Sequence, residues 1–322
     1  MNPVSVFRPL VSAIGLNKLS VLIYHRVYME PDLIFPSEVH ARRFDAQMGW
    51  LKALCNVLPL EDAVQRLQAG TLPRRAACVT FDDGYADNVE VALPILKRHG
   101  VPATFFISSG FLDGGRMWND TVIEAIRRVS GAMVDLNHLG LGKHPVGTMA
   151  TRNTTIGAII GSLKYLPQEA RNSQVDALQR TVAECLPDNL MMRAEQVREL
   201  ADAGMTVGAH TVSHPILARL PAAEARREIR VGRETLEAIT GREVTLFAYP
   251  NGKPVDDYGL KHVAMVRELG FQGAVCTAWG SASRLDDIFQ LPRFTPWDKT
   301  ALRFSARFTG NLLRQAATLQ AA

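Results

Sequence analysis

The chain has 322 residues, with 36 Lys+Arg against 32 Asp+Glu for a net charge of +4, and 47% hydrophobic residues. That length suits a single α/β barrel carrying insertions, and a mean hydropathy of zero excludes disorder, collagen and long coiled coils. The basic pairs, such as Arg42-Arg43 and Arg226-Arg227, are scattered along the chain, so nucleic acid is not an expected partner.

Residues 1–18 read as an N-terminal extension. Arg8 precedes a short apolar stretch, Pro9 to Leu16, interrupted by Ser12 and Gly15. No signal peptide is read there, so the expected location is cytoplasmic. No apolar run reaches the ~18 residues of a membrane span. Short apolar runs bounded by turn residues then predict buried strands at Val21 to Tyr24, Val57 to Leu60, Ala77 to Phe81, Ala103 to Ile107, Thr206 to Ala209, Val244 to Tyr249 and Ala274 to Thr277. Between them, helical patterns run over Glu61 to Gln68, Asn88 to Arg98, Glu195 to Ala203, Ala222 to Ile239 and Asp257 to Leu269. Gly100, Gly204, Gly241 and Gly270 stand at their ends. Strand and helix alternate over 19–298, which predicts a parallel sheet. The number of units, and the lack of a GxGxxG loop after the first strand, favour a closed or nearly closed barrel.

The alternation breaks at about 113–192. Gly114-Gly115 opens a polar segment, and Thr121 to Val129 and Ile156 to Tyr165 have helical patterns, so a helical insertion is expected with no strand before Thr206. The tail, 299–322, predicts a C-terminal helix with Phe304, Phe308 and Leu312 on one face and Arg303, Arg307 and Arg314 around it. Packing on the barrel is its expected use, and peripheral contact with a membrane surface is the other reading. The four cysteines show no CxxC spacing, so neither a disulfide scaffold nor a cysteine zinc site is expected.

In a parallel barrel the chemistry gathers at the C-terminal ends of the strands. The run Ala77 to Phe81 ends in Asp82-Asp83-Gly84, two carboxylates followed by a residue that lets the backbone turn. After Thr206 to Ala209 comes His210-Thr211-Val212-Ser213-His214, two imidazoles at a spacing that can meet one metal. With one of the carboxylates they would form a two-histidine, one-carboxylate face with open positions. Phe247-Ala248-Tyr249-Pro250-Asn251-Gly252-Lys253 is a third strand running into a turn. Trp118 stands at the start of the insertion, near the expected strand-end face, as a candidate for lining a substrate groove.

In this order the three segments resemble the polysaccharide deacetylases of the NodB-homology group, carbohydrate esterase family 4, over roughly Val21 to Phe294. The resemblance implies a distorted parallel (β/α)7-type barrel and a divalent metal, zinc-like, held by Asp83, His210 and His214. Asp82 would be the general base, and the reaction the hydrolysis of N-acetyl groups on a glycan. The Asn251 backbone N–H is placed as an oxyanion donor, with Tyr249 beside it. Two departures stand out: Ala248 occupies the place of the arginine that orients the base, and the late Leu-x-His motif that supplies a general acid is missing. Arg293, in Leu291-Pro292-Arg293-Phe294, is the expected replacement for the arginine. His25, in Tyr24-His25-Arg26-Val27, resembles the Tyr-His signature of the exopolysaccharide-modifying branch and is the expected acid. The rival readings are an allantoinase-like amide hydrolase, a carbohydrate-binding relative without turnover, and an Fe(II) oxygenase. The oligomeric state is open.

Overall fold

The computed structural model describes residue 4 and residues 6–182 and 185–319. The chain divides into two compact units, one of residues 1–30, 39–112 and 192–322, the other of residues 31–38 and 113–191. The first unit opens with α1 (Arg8–Ile14), β1 (Lys18–Tyr24), α2 (Ala41–Leu54), β2 (Asn56–Val57), α3 (Leu60–Ala69) and β3 (Ala76–Phe81). A π-helical turn, Asn88–Ala92, then runs into α4 (Leu93–His99), followed by β4 (Ala103–Ile107). The second unit holds α5 (Trp118–Arg128), β5 (Met133–Leu136), β6 (Gly142–Pro145), α6 (Met149–Leu163) and α7 (Gln168–Val182). The chain returns to the first unit with α8 (Ala194–Asp202), β7 (Thr206–Ala209), α9 (Ala222–Thr240), β8 (Leu246–Ala248) and α10 (Leu260–Glu268). It ends with β9 (Gly273–Val275), β10 (Ala282–Ser283), β11 (Arg293–Phe294) and α11 (Ala301–Leu312).

The sheet of the first unit runs β1-β3-β4-β7-β8-β9 with every pair parallel. It closes on itself because Val275 bridges Leu291 and β11 lies parallel to β1, Val21 opposite Arg293. This is the distorted seven-stranded parallel barrel. Strand period explains how it fills. In β3, Ala76 and Cys78 pack inward with Leu19, Val21, Phe106, Leu246 and Val275, and α3 joins this cluster through Leu60, Val64 and Leu67. Ala77, Val79 and Phe81 point outward into a second cluster shared with the surrounding helices. The stack of Phe81 on Phe105 (4.7 Å) and the contact of Phe81 with Tyr24 (5.4 Å) belong to that layer. Gly70, Gly100 and Gly241 take the left-handed conformation at helix ends, as their placement in the sequence implies. All four cysteines are free.

Several expectations are corrected. The 113–192 segment is not purely helical, because β5 and β6 form an antiparallel hairpin, Met133 opposite Pro145. Its strands are four residues each, with alternating burial in β5, too short to stand out from turn-rich sequence. The same unit also contains α7, whose polar sequence buries only Arg171, Val175 and Leu178. Its core is Val122, Ile126, Val134, Leu136, Ile156, Ile159 and neighbours, with Ile34 joining from the 31–38 segment. The strands expected at Val57 to Leu60 and Val244 to Tyr249 shrink to β2 and β8. Pro59 caps α3 at Leu60, and Pro250 follows β8 closely. The helix expected from Asp257 starts at Leu260, since Asp257 Oδ2 instead accepts the Lys253 N–H (2.9 Å) in a turn. The C-terminal helix ends at Leu312, and residues 320–322 lie outside the described residues.

Candidate active site

The Asp82 N–H donates to the Tyr24 carbonyl (3.0 Å), which extends the β1–β3 ladder by one residue. Asp82 therefore keeps the inward phase of Cys78 and Thr80. There it meets Arg293, which comes from β11 on the far side of β1. Nη1 and Nη2 donate to the two carboxylate oxygens at 2.7 and 2.6 Å, a two-pronged pairing that only a guanidinium can make. Arg293 is fully buried. Its Nε donates to the Cys276 carbonyl (3.0 Å) and its Nη1 also reaches Thr80 Oγ1 (3.3 Å). Burial pushes the Asp82 carboxyl up, but Arg293 and then His210 outweigh this, and its pKa lies below the usual carboxylate value.

Asp83 leaves the ladder with a left-handed φ of 79°, and Gly84 follows at 95°. A Cβ on Gly84 would come 2.8 Å from Ile107 Cγ2, so the turn requires glycine. Thr211 (65°), His214 (52°) and Asn251 (58°) share this backbone conformation. Strain of this kind concentrates where side chains must be aimed. Two of these, Asp83 and His214, converge with His210: Asp83 Oδ1 lies 3.5 Å from His210 Nε2 and 3.4 Å from His214 Nε2. That oxygen is buried with no hydrogen-bond partner, and the three ligand atoms lie within 4.8 Å of one another. Bonds of ~2.0–2.1 Å to a tetrahedral ion place ligand atoms ~3.3 Å apart. An orphaned carboxylate oxygen and two imidazole nitrogens at this spacing fit a divalent ion.

The imidazoles are aimed from behind. His210 Nδ1–H donates to the Ala248 carbonyl (2.7 Å), which leaves Nε2 with its lone pair facing Asp83. Burial lowers the His210 pKa, but Asp82 and Asp83 overcome it and raise the pKa above the ordinary value. For His214 burial wins, and its pKa is pushed down to about 4. Asp83 is lowered despite burial, through His210, His214 and His25. The loop between the histidines is gripped by Glu228 on α9. Its carboxylate accepts the Val212 and Ser213 N–H groups (3.0 and 2.9 Å) and the Ser213 hydroxyl (2.9 Å). Ser108, after β4, ties both motifs together: its N–H donates to the Asp83 carbonyl (3.1 Å) and its hydroxyl to the His210 carbonyl (2.9 Å). Glu228 and Ser108 carry no signal in the sequence. They lie outside every motif and act only through the fold.

The remaining expected residues fall into two groups. His25 is exposed just after β1, close enough to interact electrostatically with Asp82, Asp83 and His214. Its turn is fixed by the Asn88 side chain donating to the His25 carbonyl (2.8 Å), and by Asp87, which accepts from Arg26 Nε (2.7 Å) and the Val27 N–H (3.1 Å). Asn251 is half-buried in the turn after β8, where its carbonyl accepts from Thr277 (2.9 Å). No acceptor engages the Asn251 N–H among the described residues. Tyr249 is not brought into the site. Its side chain is 1% exposed and stacks on Tyr258 at 3.9 Å, because the strand phase turns it outward beside Phe247. Trp118 belongs to the second unit, half-buried at the start of α5 with the Arg171 guanidinium 4.9 Å from its ring.

The family model described as polysaccharide deacetylase matches residues 69–274. The YxkH protein of Bacillus subtilis is 22% identical over 278 residues, covering 86% of this chain and 70% of that protein. The poly-beta-1,6-N-acetyl-D-glucosamine N-deacetylase of Staphylococcus aureus is 26% identical over 181 residues. That match covers 49% of this chain, and it spans 62% of the staphylococcal enzyme's length. The structure of IcaB from Ammonifex degensii superposes with a TM-score of 0.57 at 20% identity, covering 90% of this chain and 97% of that one.

Proposed function

Because the chain belongs to the polysaccharide deacetylase family, we propose that it removes N-acetyl groups from the amino sugars of an exopolysaccharide, with a zinc-type divalent ion held by Asp83, His210 and His214. The observation that carries this is the buried, unpartnered Asp83 Oδ1 facing two imidazole nitrogens at 3.4 and 3.5 Å. An ion held there supplies a Lewis acid that acidifies water and polarises the acetyl carbonyl. Asp82, kept ionised and oriented by Arg293, takes the proton from the attacking water. The Asn251 N–H donates to the oxygen on which charge develops. His25, at the open side, delivers a proton to the leaving amine nitrogen. The arginine missing at Ala248 leaves no gap in this scheme, since Arg293 grips Asp82 from β11.

The test loads purified protein with zinc and assays free acetate from β-1,6-linked N-acetylglucosamine oligomers. The wild type is expected to release acetate, and the His210→Ala/His214→Ala double variant to lose both acetate release and the bound ion. A double variant that keeps one tightly bound ion overturns the ligand set. Turnover of cyclic or linear amides without acetate release from any glycan overturns the substrate class.

A further inference from the structure

Helix α11 has two unlike faces. Phe304, Phe308 and Leu312 are buried in the first unit. Leu302 and Leu313 are 59% and 66% exposed. Leu313 caps the helix in a right-handed helical conformation, eleven residues after Leu302 and so only ~20° from it around the axis, with exposed Ala306 and Gly310 between them. Beside this stripe lie two adjoining pockets of about 380 and 460 Å3 that share Ala306 and Arg307. Trp279 and Phe294 line the first, and Trp297, which is 52% exposed, lines the second. The Arg307 guanidinium lies 5.2 to 5.6 Å from the rings of Trp297, Phe294 and Trp279, and pairs with Asp298 (3.1 Å). It is thus a fixed strut. Lys299, Arg303 and Arg314 also line these pockets, and among the described residues no carboxylate pairs with them.

The charge balance singles out the same region. Residues 1–18 and 299–322 contain Arg8, Lys18, Lys299, Arg303, Arg307 and Arg314 and not one acidic residue, in a chain that has 32 elsewhere. Helix α1 packs on α11, and Lys18 Nζ donates to the Leu312 carbonyl (2.5 Å). The α1 segment adds Leu10 and Leu16, 47% and 50% exposed. An acidic glycan would use the cations and the tryptophans but has no use for four exposed leucines. A neutral apolar partner would have no use for the cations. A surface with anions above and hydrocarbon below uses both, with tryptophan at the boundary.

We propose that α11, Trp297 and α1 form a docking surface on which the protein lies against an anionic lipid bilayer. Leu302 and Leu313 enter the acyl boundary, and Lys299, Arg303 and Arg314 meet the phosphates. Charge complementarity together with the exposed aliphatic stripe favours a bilayer as the partner.

The test uses the full chain and vesicles of phosphatidylcholine alone or with phosphatidylglycerol, separated by flotation. Binding is expected to the anionic vesicles only and to weaken as salt rises. Each basic side chain near such a surface contributes about fivefold in partitioning. Arg303→Glu/Arg314→Glu should therefore lose at least ~20-fold, and Leu302→Ser/Leu313→Ser at least ~10-fold. Both variants change exposed residues, so acetate release from soluble oligomers should be unchanged, which separates loss of docking from loss of fold or of turnover. Equal partitioning of wild type and variants, binding to neutral vesicles alone, or retention on an acidic polysaccharide with the vesicles ignored each overturns the proposal.

Discussion

Asp82 and Asp83 are sequence neighbours with different partners, and the difference comes from one backbone turn. Asp82 continues the strand and meets Arg293, whereas Asp83, at φ 79°, meets two imidazoles. The two carboxylates should therefore fail differently. Asp82→Asn is expected to keep the ion and to lower kcat by at least ~10²-fold. It also leaves the Arg293 guanidinium buried without its counter-charge, which costs ~3–5 kcal/mol, so its Tm should fall as well. Asp83→Asn should lose the ion. Metal content and kcat measured on both variants decide the matter, and equal loss of metal in the two would make both residues ligands. Arg293→Lys should keep the ion and lower kcat, because an ammonium holds the carboxylate from one point only. At this scale the sequence was informative wherever a side chain follows its own strand closely, as with Asp82, Asp83, His210 and His214. Arg293 could be inferred because β11 must lie beside β1 for the barrel to close. Tyr249 misled because one step of strand phase separates a residue that faces the site from one that stacks on Tyr258.

At the scale of elements, the histidine pair depends on a loop that cannot hold itself. Thr211 and His214 both take left-handed backbone conformations, and the strain is offset by Glu228 from α9 and by the close approach of that helix. A Cβ on Gly232 of α9 would lie 2.8 Å from the Thr211 carbonyl carbon, so only glycine lets α9 come near enough for Glu228 to reach the loop. Glu228→Ala is expected to weaken ion affinity by ~10–100-fold, the usual effect of removing a group that orients ligands. Helical content by circular dichroism should not change. Unaltered affinity by competition with a chelator would show that the loop is held without Glu228. None of this was legible beforehand, because Glu228 sits in a helical pattern among other charged residues and its partners are backbone N–H groups. The hairpin β5–β6 and helix α7 escaped for a related reason. Each buries too few side chains to impose a periodicity on its sequence.

For the whole molecule, the question is what the chain after the last barrel strand contributes. On the β1 side, closure rests on two residues, Arg293 and Phe294, and so short a strand needs support on its outer side. Phe294 contacts Phe308 at 6.3 Å, Phe304 contacts Trp50 of α2 at 5.7 Å, and Gln47 of α2 donates to the carbonyls of Pro296 (2.8 Å) and Asp298 (3.1 Å). Helix α11 therefore stitches β11 to α2 and should stabilise the barrel as strongly as an internal helix. Burying Phe304, Phe308 and Leu312 contributes ~1.5–3 kcal/mol each before the entropy of ordering them is counted. Phe308→Ala is expected to cost ~3–5 kcal/mol in urea unfolding. Arg303→Ala, on the exposed face, should cost no more than ~0.5 kcal/mol. Because the loosened strand carries Arg293, acetate release by Phe308→Ala should fall at temperatures below its global transition, and so before the fold is lost. A cost below ~1 kcal/mol for Phe308→Ala, with activity retained up to the transition, would mean that β11 holds its place on β1 without the helix behind it.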